Sequence, residues 1–348
     1  MKLNRRRFLG TTAAAASAGL ATPYLALAST SVRWNWISIQ PLSQPFLAVV
    51  ADAFKRIEER TDGNFSVQHG IITETPFAAS EGLQIIRDGL ADVMEWYPGY
   101  VSNTYPVLVA PELSFVLPGF WDTERGVKAT LDAMQAPMVS AAYDKVFGDH
   151  GATSGLRVVW EPICMWSNRA EMSPVDLRGG VFRANTRETA DMIGALGGVA
   201  EIISITDAYQ AIQRNAIQGF SGSTVSVQTF RLNEVLRSGI ITNTQYSTGT
   251  FLVRQAALDS LPDELRTIYD EEMAATQKEV NELTVVSEAR SRVWAEESGL
   301  NVRDVTDDEY TQLREAAERA VWSRWKERVG PEGDKALQEV FTAIEAWA

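Results

Sequence analysis

Short strand-like segments alternate with amphipathic helical segments over the first part of the chain, and this alternation constrains the fold most strongly. Residues 32–39 alternate as a strand does, residues 44–63 have the apolar spacing of a helix, and residues 64–72 are again strand-like. A helical segment and a short strand around Val93 to Trp96 follow, and residues 156–162 form a further strand-like segment. This order is typical of an α/β domain with a largely parallel sheet.

The pattern recurs after residue 155, so we expect a second α/β lobe and a ligand-binding cleft between the lobes. The predicted divisions are a first lobe at 29–155 that also receives returning chain from about 240–348, a second lobe at 156–240, and a long bridging helix at 261–298. Further expectations are a strand-like stretch at 110–119, a helix at 123–147, strands returning to the first lobe within 239–258, and helices at 306–329 and 331–347.

Residues 1–28 have the features of an export signal. Arg5-Arg6-Arg7-Phe8-Leu9 precedes a mildly apolar stretch, and Ala26-Leu27-Ala28 fits a cleavage site. The Arg-Arg-x-Phe-Leu order favours twin-arginine export over an ordinary secretion signal or a basic tail. We therefore expect the mature chain to begin near Ser29 and to work in the periplasm.

The charge of the chain argues against nucleic acid as a partner. The formal net charge is −13, and removal of residues 1–28 takes away four cations, so it becomes −13 − 4 = −17. Nucleic-acid binding needs a basic surface. The sequence has 45% hydrophobic residues, as a globular protein does, and no apolar run of eighteen, so we expect no direct membrane insertion.

Few residues are available for redox, metal or triad chemistry. Cys164 is the single cysteine, and His69 and His150 are the two histidines. An intramolecular disulfide is impossible, and a His/Cys metal site is nearly excluded. No dinucleotide fingerprint, nucleophile elbow or zinc-protease motif is present. We expect no cofactor and no enzymatic activity, although an exported cofactor-dependent enzyme stays open as the alternative.

One cation stands at the end of a probable buried strand. Val181 and Phe182 are strand-like, Arg183 follows, and Asn185 and Thr186 resemble the start of a helix. A guanidinium group is permanently charged and offers paired donors that suit a carboxylate. On the residues alone, a ligand-binding role and a structural salt bridge are comparable readings of Arg183.

The order of motifs around this arginine resembles the substrate-binding proteins of TRAP (tripartite ATP-independent periplasmic) transporters. The resemblance covers essentially the whole mature chain and is strongest over residues 173–219. The matching residues are Pro174, Asp176, Leu177, Gly179, Arg183, Leu196, Gly197, Tyr209, Ala211, Gln213 and Gly219, with Glu81, Gly89 and Asp92 in the first half.

This resemblance implies a two-lobe periplasmic binding protein fold of the α/β class, with a cleft between lobes that close by hinge bending. It implies a solute receptor that delivers an organic acid to the small and large membrane subunits of the transporter. The arginine that matches Arg183 binds the substrate carboxylate in this family. A binding protein that serves a sensor kinase has a similar fold and stays open as a second alternative.

The chain departs from the family pattern at two places. A second arginine is absent near Pro162 or Ile163, and Phe220-Ser221-Gly222-Ser223 replaces an expected Glu-Asn pair. Aromatic residues near strand ends are candidates to line the site instead, which favours a monocarboxylate with an apolar or aromatic portion.

The complete set of predicted substrate-binding residues is led by Arg183. The other members are Trp36, Glu81, Trp96, Trp166, Asn168, Phe220 and Gly222. Ordinary core packing is the competing interpretation for each aromatic residue. For Glu81 the competing interpretation is a helix-start acid that the helix dipole favours.

Overall fold

The computed structural model describes residues 31–117 and 122–347, so the predicted export signal lies outside the described residues. The strands, in chain order, are β1 (Val32–Ser38), β2 (Phe65–Ile71), β3 (Val93–Trp96), β4 (Ala152–Pro162), β5 (Cys164–Ser167), β6 (Val181–Ala184), β7 (Val199–Ile202), β8 (Gly219–Gly222), β9 (Ser238–Ile241), β10 (Tyr246–Arg254) and β11 (Asn301–Asp304).

Helices surround these strands. They are α1 (Pro45–Arg60), α2 (Gly82–Arg87), α3 (Thr123–Ala133), α4 (Pro137–Asp149), α5 (Arg187–Ala195), α6 (Ile205–Gln213), α7 (Thr224–Thr229), α8 (Gln255–Asp259), α9 (Asp263–Glu297), α10 (Asp307–Ala316), α11 (Ser323–Val329) and α12 (Gly333–Ile344). A π-helical segment, Ala317–Trp322, joins α10 to α11. None of the described helices is long and apolar enough to cross a membrane.

The first sheet has the strand order β2-β1-β3-β10-β4. Strands β1, β2 and β3 are parallel, whereas β10 runs antiparallel to both β3 and β4. Helix α1 illustrates why this layer forms: its buried residues Phe46, Val50, Phe54 and Ile57 recur every three or four positions, so one face packs on the sheet. Pro45 starts the helix, where its missing N–H costs nothing.

The second sheet has the strand order β11-β9-β5-β8-β6-β7. Here β5 is the reversed strand, since it pairs antiparallel with both β8 and β9. Strand β6 lies between β7 and β8, and Arg183 is aligned with Glu201 on one side and with Phe220 on the other. Arg183 is therefore the penultimate residue of a strand in the interior of the sheet.

Two of the three crossings between the sheets are bonded to each other, and the third runs from β10 to β11 through α9. The chain passes from β4 to β5 at Ile163 and returns from β9 to β10 through residues 242–245. The N–H of Ile163 donates to the carbonyl of Gln245 at 2.8 Å, and the N–H of Thr244 donates to the carbonyl of Ile163 at 3.0 Å. This paired connection is a natural place for a hinge between the lobes.

Helix α9 contacts elements of both sheets. It has 35 residues, roughly 52 Å of helix at 1.5 Å per residue. It packs on α1, α3 and β4 of the first lobe and on α7 and β11 of the second. The Thr284 hydroxyl donates to the Val159 carbonyl at 2.8 Å, and Ala295 is buried in the core of the second lobe. The predicted long helix that bridges both lobes is confirmed.

The α/β class and the two-lobe arrangement agree with the sequence prediction, but several details differ. Each sheet is largely parallel, as predicted, but contains one reversed strand that follows a crossing between the sheets, β10 in the first sheet and β5 in the second. The strand predicted at 110–119 is wrong over its described residues: Pro106–Glu112 is a 3-10 helix, and residues 113–117 contain turns and bends. The helix predicted at 123–147 is two helices, since Pro137 begins a new one.

The segment that returns to the first lobe also supplies fewer strands to the first sheet than expected. Within residues 239–258, β10 joins the first sheet, whereas β9 belongs to the second. The short edge strand β11 has no counterpart in the sequence analysis. Strand β4 stays in the first sheet to Pro162, and we propose a lobe boundary at Ile163 from this sheet membership.

Helix α9 carries two buried carboxyl groups with opposite surroundings. Glu288 is 3% exposed, and neither of its carboxyl oxygens has a hydrogen-bond partner in the described chain. Burial and the neighbouring Glu161 raise the pKa of Glu288 to about 8. Glu272 is also buried, but hydrogen bonds from Arg56 and Arg60 outweigh its desolvation and lower its pKa.

We predict opposite effects of the same substitution at these two sites. The native state keeps Glu288 protonated while the unfolded chain releases that proton above its ordinary pKa of 4.5, so the free energy of unfolding falls as the pH rises from 4.5 to about 8. Glu288→Gln should reduce this fall and leave the protein equally or more stable at pH 8. Glu272→Gln should destabilise it by roughly 1–3 kcal/mol at pH 7, because two arginines lose their partner.

Urea unfolding of both variants between pH 5 and pH 8.5 measures these effects. A Glu288→Gln protein whose stability depends on pH as steeply as the wild type would show that Glu288 is ionised in the native state. The Glu272→Gln protein serves as the matched control on the same helix.

Candidate functional site

A cavity of about 70 Å³ lies between the two lobes, at the edge where several strands end. Parallel strands bring their carboxyl ends to one edge, which is where ligands bind in open α/β sheets. The described residues that line the cavity come from both lobes. They are Ile39, Gln40, Gln44, Phe46, Glu95, Tyr97, Tyr100, Trp160, Glu161, Ile163, Arg183, Asn185, Ile205, Gly222, Ser223, Ser226 and Ser247.

Arg183 is the only arginine or lysine among these lining residues. It is 4% exposed, and backbone oxygens hold its guanidinium in place. Its Nε donates to the carbonyl of Ile203 at 3.1 Å, and its Nη1 donates to the carbonyl of Ser221 at 2.8 Å. The ring of Phe220 lies beneath it, with 5.3 Å between the guanidinium carbon and the ring centroid. Two carbonyls and one aromatic face thus fix the orientation of the cation before any ligand binds.

The charge of Arg183 has no opposite charge beside it. Among the described residues no Asp or Glu forms a salt bridge with it, and its electrostatic neighbours are the phenol groups of Tyr97 and Tyr100. Burial lowers its pKa, although an arginine keeps its proton in proteins. A buried cation without an ionic partner is electrostatically costly.

Gly222 lies on the same wall as Arg183 and leaves room for it. A Cβ added to Gly222 would lie 2.2 Å from the ring of Phe220, too close for any side chain. The carbonyl of Gly222 accepts a hydrogen bond from Trp166 Nε1 at 3.0 Å. The glycine therefore allows Phe220 to stay under the guanidinium.

The opposite wall carries carboxyl groups. Glu95 is 1% exposed, and its Oε2 accepts from the backbone N–H of Ile39 at 2.7 Å and of Gln40 at 3.1 Å. Its Oε1 accepts from Gln40 Nε2 at 3.0 Å. Burial raises the pKa of Glu95 to about 7 against these donors. Glu161 also lines the cavity, accepts from the Ser287 hydroxyl of α9, and has its pKa raised by burial.

A hydrogen-bonded chain crosses the cleft beside the cavity. Asn185 Nδ2 donates to the hydroxyl of Tyr97 at 2.7 Å, and that hydroxyl donates to Glu112 Oε2 at 3.2 Å. Asn185 is itself fixed, since its Oδ1 accepts from the hydroxyl of Thr189 at 2.7 Å. Glu112 also accepts from the backbone N–H and the hydroxyl of Thr248, and burial raises its pKa to about 8. These hydrogen bonds join the first lobe to the second.

The structure brings together some of the sequence-predicted residues. Arg183 and Gly222 line the cavity, and Phe220 supports Arg183 from behind. Trp166 is fully buried in the core of the second lobe and reaches the site only through its bond to Gly222.

The remaining predicted residues lie outside the cavity lining. Trp36 packs against Phe54, His69 and Phe251 in the core of the first lobe, and Trp96 packs against Tyr143 and Phe147. Asn168 Nδ2 bonds Asn215 near the surface. The exposed Glu81 accepts from the backbone N–H of Ala78 at 2.7 Å, as a helix-start acid does.

Sequence reasoning missed several lining residues that a simple rule identifies. Side chains alternate along a strand, so Trp96 points to the core while Glu95 and Tyr97 point to the other face. Asn185 follows β6 directly, as Tyr97 follows β3. Polar residues at or next to the ends of the strands were therefore the signal that could have identified these lining residues.

Within residues 31–117 and 122–347, no group of three or more His, Cys, Asp or Glu side chains is placed to hold a metal ion.

Comparison with known proteins identifies the family of this chain. The model of the family described as bacterial extracellular solute-binding protein, family 7 (DctP) matches residues 39–328. The C4-dicarboxylate-binding periplasmic protein DctP of Rhodobacter capsulatus is 25% identical over 184 residues, which are 52% of this chain and 53% of that protein. The chain spans about half the length of the curated relatives that it matches.

Solved structures show the same fold. The Bordetella pertussis extracytoplasmic solute receptor DctP6, which binds pyroglutamic acid, superposes with a TM-score of 0.79 at 17% identity and covers 89% of this chain and 100% of its own. A marine metagenome TRAP solute-binding protein specific for aromatic acids, in complex with 3-hydroxybenzoate, gives a TM-score of 0.79 at 18% identity, with 91% and 99% covered. At these identities the likeness establishes the two-lobe fold.

We predict that the hydroxyl of Tyr97 is needed for the bond across the cleft. Tyr97→Phe leaves Asn185 without an acceptor and Glu112 without one of its donors, and both groups are buried. The free energy of unfolding should fall by roughly 1–3 kcal/mol. The control is Tyr209→Phe, which removes an exposed bond to Glu234 and should cost less than about 0.5 kcal/mol. Equal losses in the two variants would contradict a special role for the cross-cleft bond.

Proposed function

This chain belongs to family 7 of the bacterial extracellular solute-binding proteins, the DctP family, and on that premise we propose that it is the receptor of a TRAP transporter that captures an organic acid. The family is one of binding proteins, so the ligand is bound and released unchanged. The observation that carries the proposal is Arg183, a buried cation that lies in the cleft with no counter-ion in the described chain.

The geometry of Arg183 suits a carboxylate. Two of its nitrogens are held by the carbonyls of Ile203 and Ser221, which leaves Nη2 free for a ligand. Because the guanidinium is already oriented, binding costs little side-chain entropy. Solved relatives with this fold bind pyroglutamic acid and aromatic acids, and those ligands carry carboxylates. This likeness supports the proposed ligand class.

The rest of the lining favours a ligand with an apolar or aromatic portion. Apolar and aromatic residues form much of the cavity wall, namely Ile39, Phe46, Tyr97, Tyr100, Trp160, Ile163 and Ile205. The TRAP pattern would place a second arginine at Pro162 or Ile163. A second carboxylate would find no second cation here, so a monocarboxylate fits better than a polyanion.

Closure and delivery complete the proposed cycle. The bonded crossings at Ile163 and at residues 242–245 act as the hinge, and ligand binding shifts the population towards the closed form. The closed complex docks on the small and large membrane subunits of the transporter in the periplasm. The predicted twin-arginine signal at residues 1–28 accounts for export, with cleavage before Ser29.

We predict that Arg183→Ala abolishes acid-dependent stabilisation. Removing one partner of a buried charge pair costs about 2–5 kcal/mol, which raises the Kd roughly 30- to 5,000-fold. A thermal-shift screen of the mature protein against organic acids should identify acids that raise the Tm of the wild type and not of Arg183→Ala. The matched control is Arg178→Ala, since Arg178 is exposed and pairs with Asp176. Equal responses of the wild type and Arg183→Ala would overturn the proposed role of Arg183.

A further inference from the structure

The cavity presents opposite charges on opposite walls. The second lobe contributes the cation of Arg183, and the first lobe contributes the carboxyl groups of Glu95 and Glu161. No salt bridge joins Arg183 to either of these acids in the described structure. A ligand between the walls therefore meets a donor on one side and acceptors on the other.

Glu95 retains unused capacity to accept hydrogen bonds. Its Oε2 accepts two N–H groups, whereas its Oε1 accepts only Gln40 Nε2. Each carboxylate oxygen has about two lone-pair sites, so Oε1 can take one more donor. Every partner of Glu95 is a donor, which favours its ionised form, and burial opposes that form.

These bonds also keep Glu95 in place independently of the ligand. All three donors belong to Ile39 and Gln40, which follow β1 in the first lobe, and Gln40 is in turn held by Gln44 Nε2 at 2.6 Å. The carboxyl group thus stays at the cavity wall when the lobes separate. A fixed acid opposite a fixed arginine is arranged to recognise two ends of one small molecule.

A ligand that carries only a carboxylate would balance Arg183 and leave Glu95 without a positive partner. The carboxylate of such a ligand would also disfavour the ionised form of Glu95, since like charges repel at short range. A ligand that carries a protonated amine in addition would balance both walls, and the closed cavity would contain paired charges.

We propose that the ligand is an amino acid or a similar zwitterion, whose carboxylate binds Arg183 and whose ammonium group binds the open side of Glu95. This proposal rests on the capture of a carboxylate by Arg183 and specifies the second group of the same ligand. Glu95 is then the residue that selects amine-bearing acids over simple acids.

Isothermal titration calorimetry with matched pairs of acids tests the proposal on the mature wild-type protein at pH 7. The pairs differ only by the amine: L-proline and cyclopentanecarboxylate, L-valine and 3-methylbutanoate, and L-phenylalanine and 3-phenylpropanoate. We expect the amine-bearing member of at least one pair to bind at least about tenfold more tightly, as a buried charge pair requires.

A proton balance provides a readout that needs no variant. Burial raises the pKa of Glu95 to about 7, and an ammonium group beside it should lower that pKa, so binding near pH 7 should release protons. Titrations in buffers of different ionisation enthalpy measure this release. The tyrosines that line the cavity have raised pKa values and stay protonated. The same titrations on Glu161→Gln show how much of the proton release comes from Glu161, the second acid that lines the cavity.

Variants distinguish the two proposals from each other. Glu95→Gln should reduce the preference for the amine-bearing member of each pair to less than about threefold and abolish the proton release. Arg183→Ala should instead lower the affinity for every acid. The control is Glu272→Gln, a buried acid outside the cavity, which should keep the preference.

Each outcome decides one point. If simple acids bind the wild type as tightly as their amino counterparts, and only Arg183→Ala weakens them, the amine preference is overturned and the carboxylate receptor stands. Binding of no member of any pair would contradict both proposals. If Glu95→Gln keeps the preference for amine-bearing acids, the proposed binding of the ammonium group by Glu95 is overturned.

Discussion

The whole cleft is organised around one buried positive charge. Arg183 can be kept out of water only because Ile203 and Ser221 accept its hydrogen bonds and Phe220 lies under its plane. These groups come from the strands and loops on both sides of β6, so the second sheet must be complete before the cation is stabilised. Among the described residues no Asp or Glu forms a salt bridge with Arg183, and the proposed carboxylate ligand would supply the missing anion.

The first lobe places polar groups opposite this charge. Glu95 is fixed by the backbone after β1, and Tyr97 reaches across to Asn185 beside the arginine. Both come from the same strand end, two residues apart, so they share one face. The two bonded crossings and helix α9 hold the lobes close enough for these contacts while allowing a hinge.

Much of the architecture could be predicted from the sequence, and the exceptions have physical causes. Apolar periodicity identified β1, β3, α1 and α9 closely, because each buries one face or one stripe that local spacing reveals. Strand direction within a sheet depends on where the chain crosses between lobes, and periodicity carries no such information. The reversed directions of β5 and β10 were missed for that reason, although a strand returning to the first lobe was expected where β10 lies. A family resemblance identified Arg183, whereas large aromatic residues alone were poor guides, since Trp36 and Trp96 fill the core.

The sequence by itself determined the α/β alternation, the long helix and the presence of a cation next to the end of a buried strand. These depend on neighbours within a few turns or strand residues, where spacing is enough. Only the tertiary structure decided that Arg183 has no ion partner among the described residues, and that Glu95 and Tyr97 come from a distant part of the chain to the cavity lined by Arg183 and Asn185. Whether a charge is paired depends on distances across the cleft, and the closure of two lobes over the site sets those distances.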